Sequence, residues 1–314
     1  MRTLLAEGPV GFGYQLPVQA QSAIFVEPWE RAAGIDEIVT VARACEQVSF
    51  SYVAVCDHVA IPADKVEAMS AVWWDTVATL SYLAAATERV ALASHVAAVV
   101  YRHPLETAKQ WATLDRLSGG RAVLGVGAGH VEAEFAALGV DFRRRGALLD
   151  ESIDAVRAAL SAEVSSHHGA AWSWDAMAVA PRPVQQHVPI WVGGSSPAAL
   201  RRAALRGDGW LPQGPPEGGM SAGIATLRKL RADAGRSDEP FMIGALSGPL
   251  YVGEPRWDIG RAVAGPPEEV AAFLRSLRDL GVNQIQVRFR SRDVGELCDQ
   301  IRLFGTQVAP LVRE

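Results

Sequence analysis

The strongest constraint on this 314-residue chain is an alternation of short apolar runs with helical periods, repeated eight times without an obvious linker. A first run, Val10 to Leu16, follows Gly8-Pro9, and Ile35, Ile38, Ala42 and Cys45 then recur at helical spacing. Tyr52 to Cys56 is short and continuously apolar, as a strand buried on both faces should be. Asp75 can cap a helix carrying Val77, Leu80 and Leu83, and Arg89 to Val96 forms the third run. His103-Pro104 opens the next helix, because proline in a first turn gives up no needed donor, and Ser118-Gly119-Gly120 stops it. The later runs are Arg121 to Val126, Pro189 to Val192, Gly209 to Pro212, one within Phe241 to Val252, and Asn283 to Phe289. Helices are expected over Pro197 to Arg206, around Leu227 to Arg231, over Pro267 to Leu280, and from about Val294 to Val308.

Eight such units predict one closed (β/α)8 barrel, a TIM barrel over residues 1–314, with a doubly wound open sheet as the competing architecture. The stretch from Gly127 to Gln186 exceeds what one crossover needs. It holds a main helix marked by Leu149, Ile153, Val156 and Leu160, then an excursion from His167 to Val184. Trp172 and Trp174 alternate there as in a short hairpin, which predicts an insertion between strands 4 and 5. Composition sets the remaining bounds. Apolar residues make up 49% and charged residues 21%, a balance that buries a core and excludes a disordered chain. A net charge of −5 gives no general pull toward nucleic acid or anionic membrane. No apolar stretch approaches the ~18 residues of a membrane span, and the first residues lack a signal-length apolar run. Cys45, Cys56 and Cys298 show neither disulfide nor metal spacing and read as reduced thiols of a cytoplasmic protein.

In a barrel of this kind chemistry sits at the C-terminal ends of the strands. The second run ends in Asp57-His58, where the carboxylate can orient the ring or nearby backbone and the imidazole can exchange a proton near neutral pH. The third ends in Ser94-His95-Val96, with His95 either lining a pocket or satisfied within the core. The fourth enters Gly125-Val126-Gly127-Ala128-Gly129-His130, which fails the dinucleotide fingerprint because His130 stands where its last glycine belongs. These glycines would let a flat ligand approach the backbone, or simply serve a tight turn. The fifth ends in Gly193-Gly194-Ser195-Ser196-Pro197 and a helix, where peptide N–H groups and the helix dipole favour an anion such as phosphate. Plain N-capping by a serine is the alternative. His58, His95 and His130 invite a metal centre, but no H-x-H, no H-E-x-x-H and no carboxylate pair at ligand spacing accompanies them, so none is expected. There is no G-x-S-x-G nucleophile elbow either. Trp29, Trp73 and Trp74 fall in or beside loops over the same face and can wall it, if they are not ordinary core.

Several longer runs resemble the luciferase-like monooxygenase family, in particular its deazaflavin-dependent actinobacterial branch. They are Tyr101-Arg102-His103-Pro104-Leu105-Glu106, Leu114 to Arg121 with Leu124 to Gly127, Glu134-Phe135 with Leu138-Gly139-Val140 and Arg145-Gly146, and Pro183-Val184-Gln185 with Pro189 to Gly194. Ser196 to Ala204 and Gly207-Asp208-Gly209-Trp210 extend the likeness, which is weakest in the loops at 60–75 and 213–265. The resemblance implies a barrel with an insertion, binding coenzyme F-420 (8-hydroxy-5-deazaflavin) or FMN at the strand C-termini. It places Asp57 and His58 beside the ring, a non-prolyl cis peptide within Ser94-His95-Val96 behind it, Gly127-Ala128-Gly129 along the cofactor, and Gly193-Gly194-Ser195-Ser196 at its phosphate.

Two departures limit what carries over. Deazaflavin-dependent sugar-phosphate dehydrogenases of the family have glutamate where His130 stands, and tryptophan shortly after the histidine where this chain has Ile61-Pro62. Their substrate and acid–base assignment therefore does not transfer. The expected activity is hydride transfer between a reduced deazaflavin and a small organic substrate, with His58 the first candidate for proton handling and His130 the second. A reduced-FMN monooxygenase and a non-catalytic cofactor-binding barrel are the alternatives. Family likeness further implies a homodimer.

Overall fold

The computed structural model describes residues 10–23 and 26–314. Eight parallel strands run in chain order: β1 (Gly11–Gln15), β2 (Tyr52–Val55), β3 (Ala91–Ser94), β4 (Ala122–Val126), β5 (Ile190–Val192), β6 (Gly209–Trp210), β7 (Met242–Val252) and β8 (Gln284–Phe289). Each pairs with the next, and Gly11 to Tyr14 of β1 pair with Gln284 to Val287 of β8, so the sheet closes on itself. This is the (β/α)8 barrel, and closure excludes the open doubly wound sheet.

Alternation along the strands sorts side chains into two cores. Val53 and Val55 of β2 pack outward under the helices, whereas Tyr52 and Ala54 join Ala91, Ala93, Val123, Trp191, Leu211 and Met242 inside the barrel. The interior mixes large and small: Tyr52 meets Trp191 edge to face at 5.0 Å, and a Cβ on Gly13 would fall 2.0 Å from the Tyr52 ring. Helix ends follow the local signals. Asp75 accepts from Ala78 N at 2.7 Å, His103 caps Pro104–Ser118, and Gly119 closes that helix at φ +67°.

The boundaries differ from expectation where the chain leaves the ladder early. The third strand stops at Ser94, just before the cis His95–Val96 peptide, and the sixth stops at Trp210. The insertion is present, but its hairpin pairs Val164–His168 with Ser173–Ala178 and so begins before His167. Glu151, on the helix Arg145–Ser161, accepts from the backbone of Ala170, Ala171 and Trp172 and pins the hairpin's turn. The loop after β7 contributes a short strand, Val263–Gly265, that pairs with Leu250 to Val252. The helix Val294–Leu303 widens into a π-helical turn over Phe304–Val308 and is followed by a short last helix, Ala309–Arg313. Among the described residues no helix is long and apolar enough to cross a membrane.

Candidate active site

The C-terminal end of β2 carries the clearest constellation. Both oxygens of Asp57 are engaged by protein: Arg102 binds them at 2.7 and 3.0 Å, and Ala98 N adds a bond of 2.9 Å. Asp57 thus braces the backbone just beyond β3, the orienting role open to it from sequence. Next to it, His58 Nδ1 lies 2.8 Å from Glu134 Oε2. Glu134 sits on the short helix Glu132–Ala137 and its carboxylate is fully buried. Its other oxygen accepts from Val59 N at 2.6 Å and Ala60 N at 3.1 Å, and Tyr101 Oη donates to Oε2 at 3.0 Å.

Burial alone would raise the pKa of Glu134, but the bonds from His58, Ala60 N and Val59 N outweigh it and hold the carboxyl below its ordinary value. Burial and the adjacent Glu134 push the Tyr101 phenol up, so it stays a donor. An ionised carboxylate only accepts, so Nδ1 of His58 bears the proton and the neutral ring keeps its lone pair on Nε2. Trp73 meets the His58 ring edge to face at 4.5 Å, and His130 does so at 5.5 Å. Desolvation, then the neighbouring His58, lower the pKa of His130. His58 and His130 therefore come together as the sequence suggested, with a tryptophan wall beside them.

His95 is different. It is 1% exposed, its Nε2 lies 3.2 Å from Leu211 O, and Gln286 Nε2 lies 3.0 Å from its Nδ1. A carbonyl only accepts, so Nε2 donates and Nδ1 receives the Gln286 amide, while Tyr52 Oη donates to Gln286 Oε1 at 3.3 Å. The chain Tyr52–Gln286–His95–Leu211 crosses the barrel and leaves the imidazole satisfied within the core. Burial lowers its pKa to about 4. Unfolded, the ring takes a proton from about pH 6.5 downward; folded, it resists until about 4. This contribution to stability is complete above the unfolded value and is lost as pH falls through that window, about 3 kcal/mol in all. Urea unfolding at pH 7 and 4.5 should show this loss, and His95→Gln, which cannot titrate, should lose less over the same step.

The glycines serve the protein's own packing. Ser94 Oγ donates to Gly125 O at 2.7 Å and accepts from Gly125 N at 3.0 Å, tying β3 to β4. A Cβ on Gly127 or Gly193 would fall 2.3 or 2.7 Å from Val96 side-chain atoms, and one on Gly129 would fall 2.7 Å from Phe135. Val96 thus seats between the ends of β4 and β5, and Ala128 is half-buried against the core. In the loop after β5, Trp210 Nε1 donates to Gly194 O at 2.8 Å, Ser195 Oγ donates to Gly214 O, and Ser196 Oγ caps the helix Pro197–Arg206 by accepting from Ala199 N at 3.2 Å. Gly194 and Ser196 are exposed, so this helix N-terminus is accessible.

Asp57, His58, His95, His130 and Glu134 do not line a further cavity, of about 400 Å³, which opens at the ends of β1, β6, β7 and β8. Leu16, Pro212, Leu246 and Gln286 border it, with Glu27, Glu30 and Arg288 at one end. Sequence reasoning missed this half of the mouth, and it missed Glu134. One available signal was Gln284-Ile285-Gln286-Val287-Arg288, which puts polar side chains at every second position of a barrel strand. Trp29 belongs here, donating to Ser291 Oγ at 3.1 Å, whereas Trp73 faces His58 and Trp74 packs against the core. Among the described residues no group of three or more His, Cys, Asp or Glu side chains is arranged to hold a metal ion.

Comparison with known proteins places this geometry. An uncharacterized protein of Mycobacterium tuberculosis is 32% identical over 221 residues, 67% of this chain and 76% of that protein. An F420-dependent hydroxymycolic acid dehydrogenase of the same organism is 32% identical over 199 residues, 60% of this chain and 54% of the dehydrogenase. Among solved structures, an F420-dependent secondary alcohol dehydrogenase in complex with an F420-acetone adduct superposes with a TM-score of 0.78 at 19% identity, covering 98% of this chain and 100% of that one. Monooxygenase RslO1 from Streptomyces bottropensis superposes with a TM-score of 0.77 at 21% identity, covering 96% and 99%. At those identities the superpositions speak for the fold. The family model of the luciferase-like monooxygenases matches residues 12–261, which takes in seven of the eight barrel strands, the insertion and the His58–Glu134 pair, and the chain belongs to that family.

Proposed function

We propose that this protein is a deazaflavin-dependent oxidoreductase that moves a hydride between coenzyme F-420 and a small organic substrate. The observation that carries the reading is the buried Glu134 carboxylate on His58 Nδ1, at the strand end where a proton must be handled beside the cofactor. The family and the F420-dependent relatives support it.

The residues present suit such a group. The cavity of about 400 Å³ has room for a flat aromatic ring or its partner and is bordered by apolar side chains. The accessible N-terminus of Pro197–Arg206, with Gly193 to Ser196 before it, suits a phosphate. When bound, the deazaflavin supplies a ring carbon that donates or accepts hydride. Everything else falls to the chain. His58 holds or releases a proton at Nε2, Glu134 fixes the proton on Nδ1, and Trp73 shields the ring's flank. His130, held neutral by its surroundings, is the second proton-handling group.

Titration of the purified protein with F-420 and, separately, with FMN tests the assignment by fluorescence quenching. F-420 should bind at least ten-fold more tightly. Tighter FMN binding would move the protein to the reduced-flavin monooxygenases, a reading favoured by the likeness to RslO1. Binding of F-420 without turnover against any alcohol or carbonyl compound would leave a carrier barrel, and binding of neither would end the reading.

A further inference from the structure

The cavity beside β1, β6, β7 and β8 has an apolar body and a charged end whose charges are already matched. Leu16, Pro17, Pro212, Leu246 and Pro249 form the body. At the other end the Glu30 carboxylate is held by Val18 N at 2.8 Å and Glu27 N at 2.9 Å. Glu27 lies 2.8 Å from Arg290 Nε, an ion pair off the line of a hydrogen bond. Arg288 interacts electrostatically with both Glu27 and Glu30. Glu27 and Glu30 are 4% and 6% exposed, and burial raises the pKa of both; ionised, these two acids set against two arginines leave no net charge over. An anion entering here would gain Arg288 only by approaching two carboxylates. A cation would have to displace Arg290 from Glu27. Either would shed its hydration without gaining an unmatched counter-charge, which is the costly case for a buried ion. No lysine lines the cavity. Gln15 and Ser291 supply neutral hydrogen-bonding groups to its wall.

We propose that this cavity takes a neutral, largely apolar small molecule bearing a hydroxyl or carbonyl oxygen, and that it discriminates against anions and cations of the same shape. Identifying that molecule as the substrate rests on the redox reading above; the order in which probes bind does not. The chemistry is consistent with that reading, since oxidation of a neutral alcohol to a carbonyl releases one hydride and one proton. A deazaflavin, when bound, would supply the hydride acceptor, the proton would leave to solvent or to a base at the β2 end such as His58, and alcohol and carbonyl are both neutral in the cavity.

Three probes of equal length separate the possibilities: 1-octanol, octanoate and octylammonium, titrated calorimetrically into the cofactor-free protein at pH 7. Octanol should bind at least ten-fold more tightly than either ion. A charged probe binding as tightly as octanol, or no binding by any of the three, would overturn the proposal. Glu27→Gln removes one acid from the balanced end and should raise octanoate affinity about ten-fold, while Arg290→Gln should do the same for octylammonium. The double variant should restore the preference for octanol. Circular dichroism identifies a variant that has not folded, in which case the other single variant decides. Unchanged affinity for both ions in a folded single variant would show that the matched charges do not set the selection. Failure of F-420 to bind would sink the redox reading while leaving the ranking of the probes intact, so the two failures are distinguishable.

Discussion

Replacing His58 with alanine should lower turnover by about 10²- to 10⁴-fold, the range over which a positioned acid or base usually acts. Glu134→Gln should cost about 10²-fold although glutamine is nearly isosteric. The reason is the donor pattern. Glu134 meets donors on every side: His58 Nδ1, Val59 N, Ala60 N and Tyr101 Oη. A carboxylate satisfies all of them, whereas an amide carries one NH2 that must face one set. If the NH2 faces Val59 and Ala60, donor meets donor in a buried site. If it faces His58, Nδ1 must accept, the proton moves to Nε2, and the ring presents the wrong atom to the reaction. A merely structural role would alter stability and leave the kcat of the folded variant in place. Tyr101→Phe removes one of several bonds and should act in the same direction, more weakly. Steady-state kinetics with reduced F-420 across pH 5–9 checks the series; His58→Ala with wild-type turnover would end the assignment.

Gly125→Ala should largely abolish the fold. An added Cβ would sit 1.9 Å from Ser94 O and 3.0 Å from Ser94 C, both backbone atoms of the neighbouring strand. No flexible side chain can yield there. Ser94 Oγ also bonds Gly125 at both its N–H and its carbonyl, so separating the strands breaks that reciprocal pair as well. Overpacking of this severity exceeds the usual ~1–3 kcal/mol and approaches the ~5–15 kcal/mol stability of a typical domain. The expected result is little soluble protein, or a melting temperature at least ~10 °C lower. Gly146→Ala is the control. It lies in a helix, the nearest atom to its added Cβ is Arg202 Nη2 at 3.6 Å, and trading glycine for alanine there should be neutral or slightly stabilising. A soluble Gly125→Ala protein melting with the wild type would show that the ends of β3 and β4 are far more yielding than this contact implies.

The site also resolves a discrepancy in the family likeness. The chain has His130 where related sugar-phosphate dehydrogenases carry glutamate. Glu134, four residues on in the Glu132–Ala137 helix, is the carboxylate on His58. It was present in the sequence as part of Glu134-Phe135, but nothing local marks which of several acids reaches back to β2.

That contrast describes the molecule as a whole. Determinants acting within a few residues were legible in the chain: the strand–helix alternation, the caps at Asp75 and His103-Pro104, the stop at Gly119, and the failure of the dinucleotide fingerprint at His130. They are legible because period, capping and turn chemistry depend on neighbours no more than about four residues away. Barrel closure, by contrast, joins Gly11 to Gln284 and decides what each polar side chain meets. It makes His95 a core histidine held by Leu211 and Gln286, gives Asp57 to Arg102, and gives His58 to Glu134. It sets Ser94, Val96 and Phe135 against Gly125, Gly127 and Gly129, and it forms the cavity at Glu27 and Arg288. A polar side chain reports its chemistry from the sequence, but its partner is chosen by whichever distant strand end the closed barrel sets beside it.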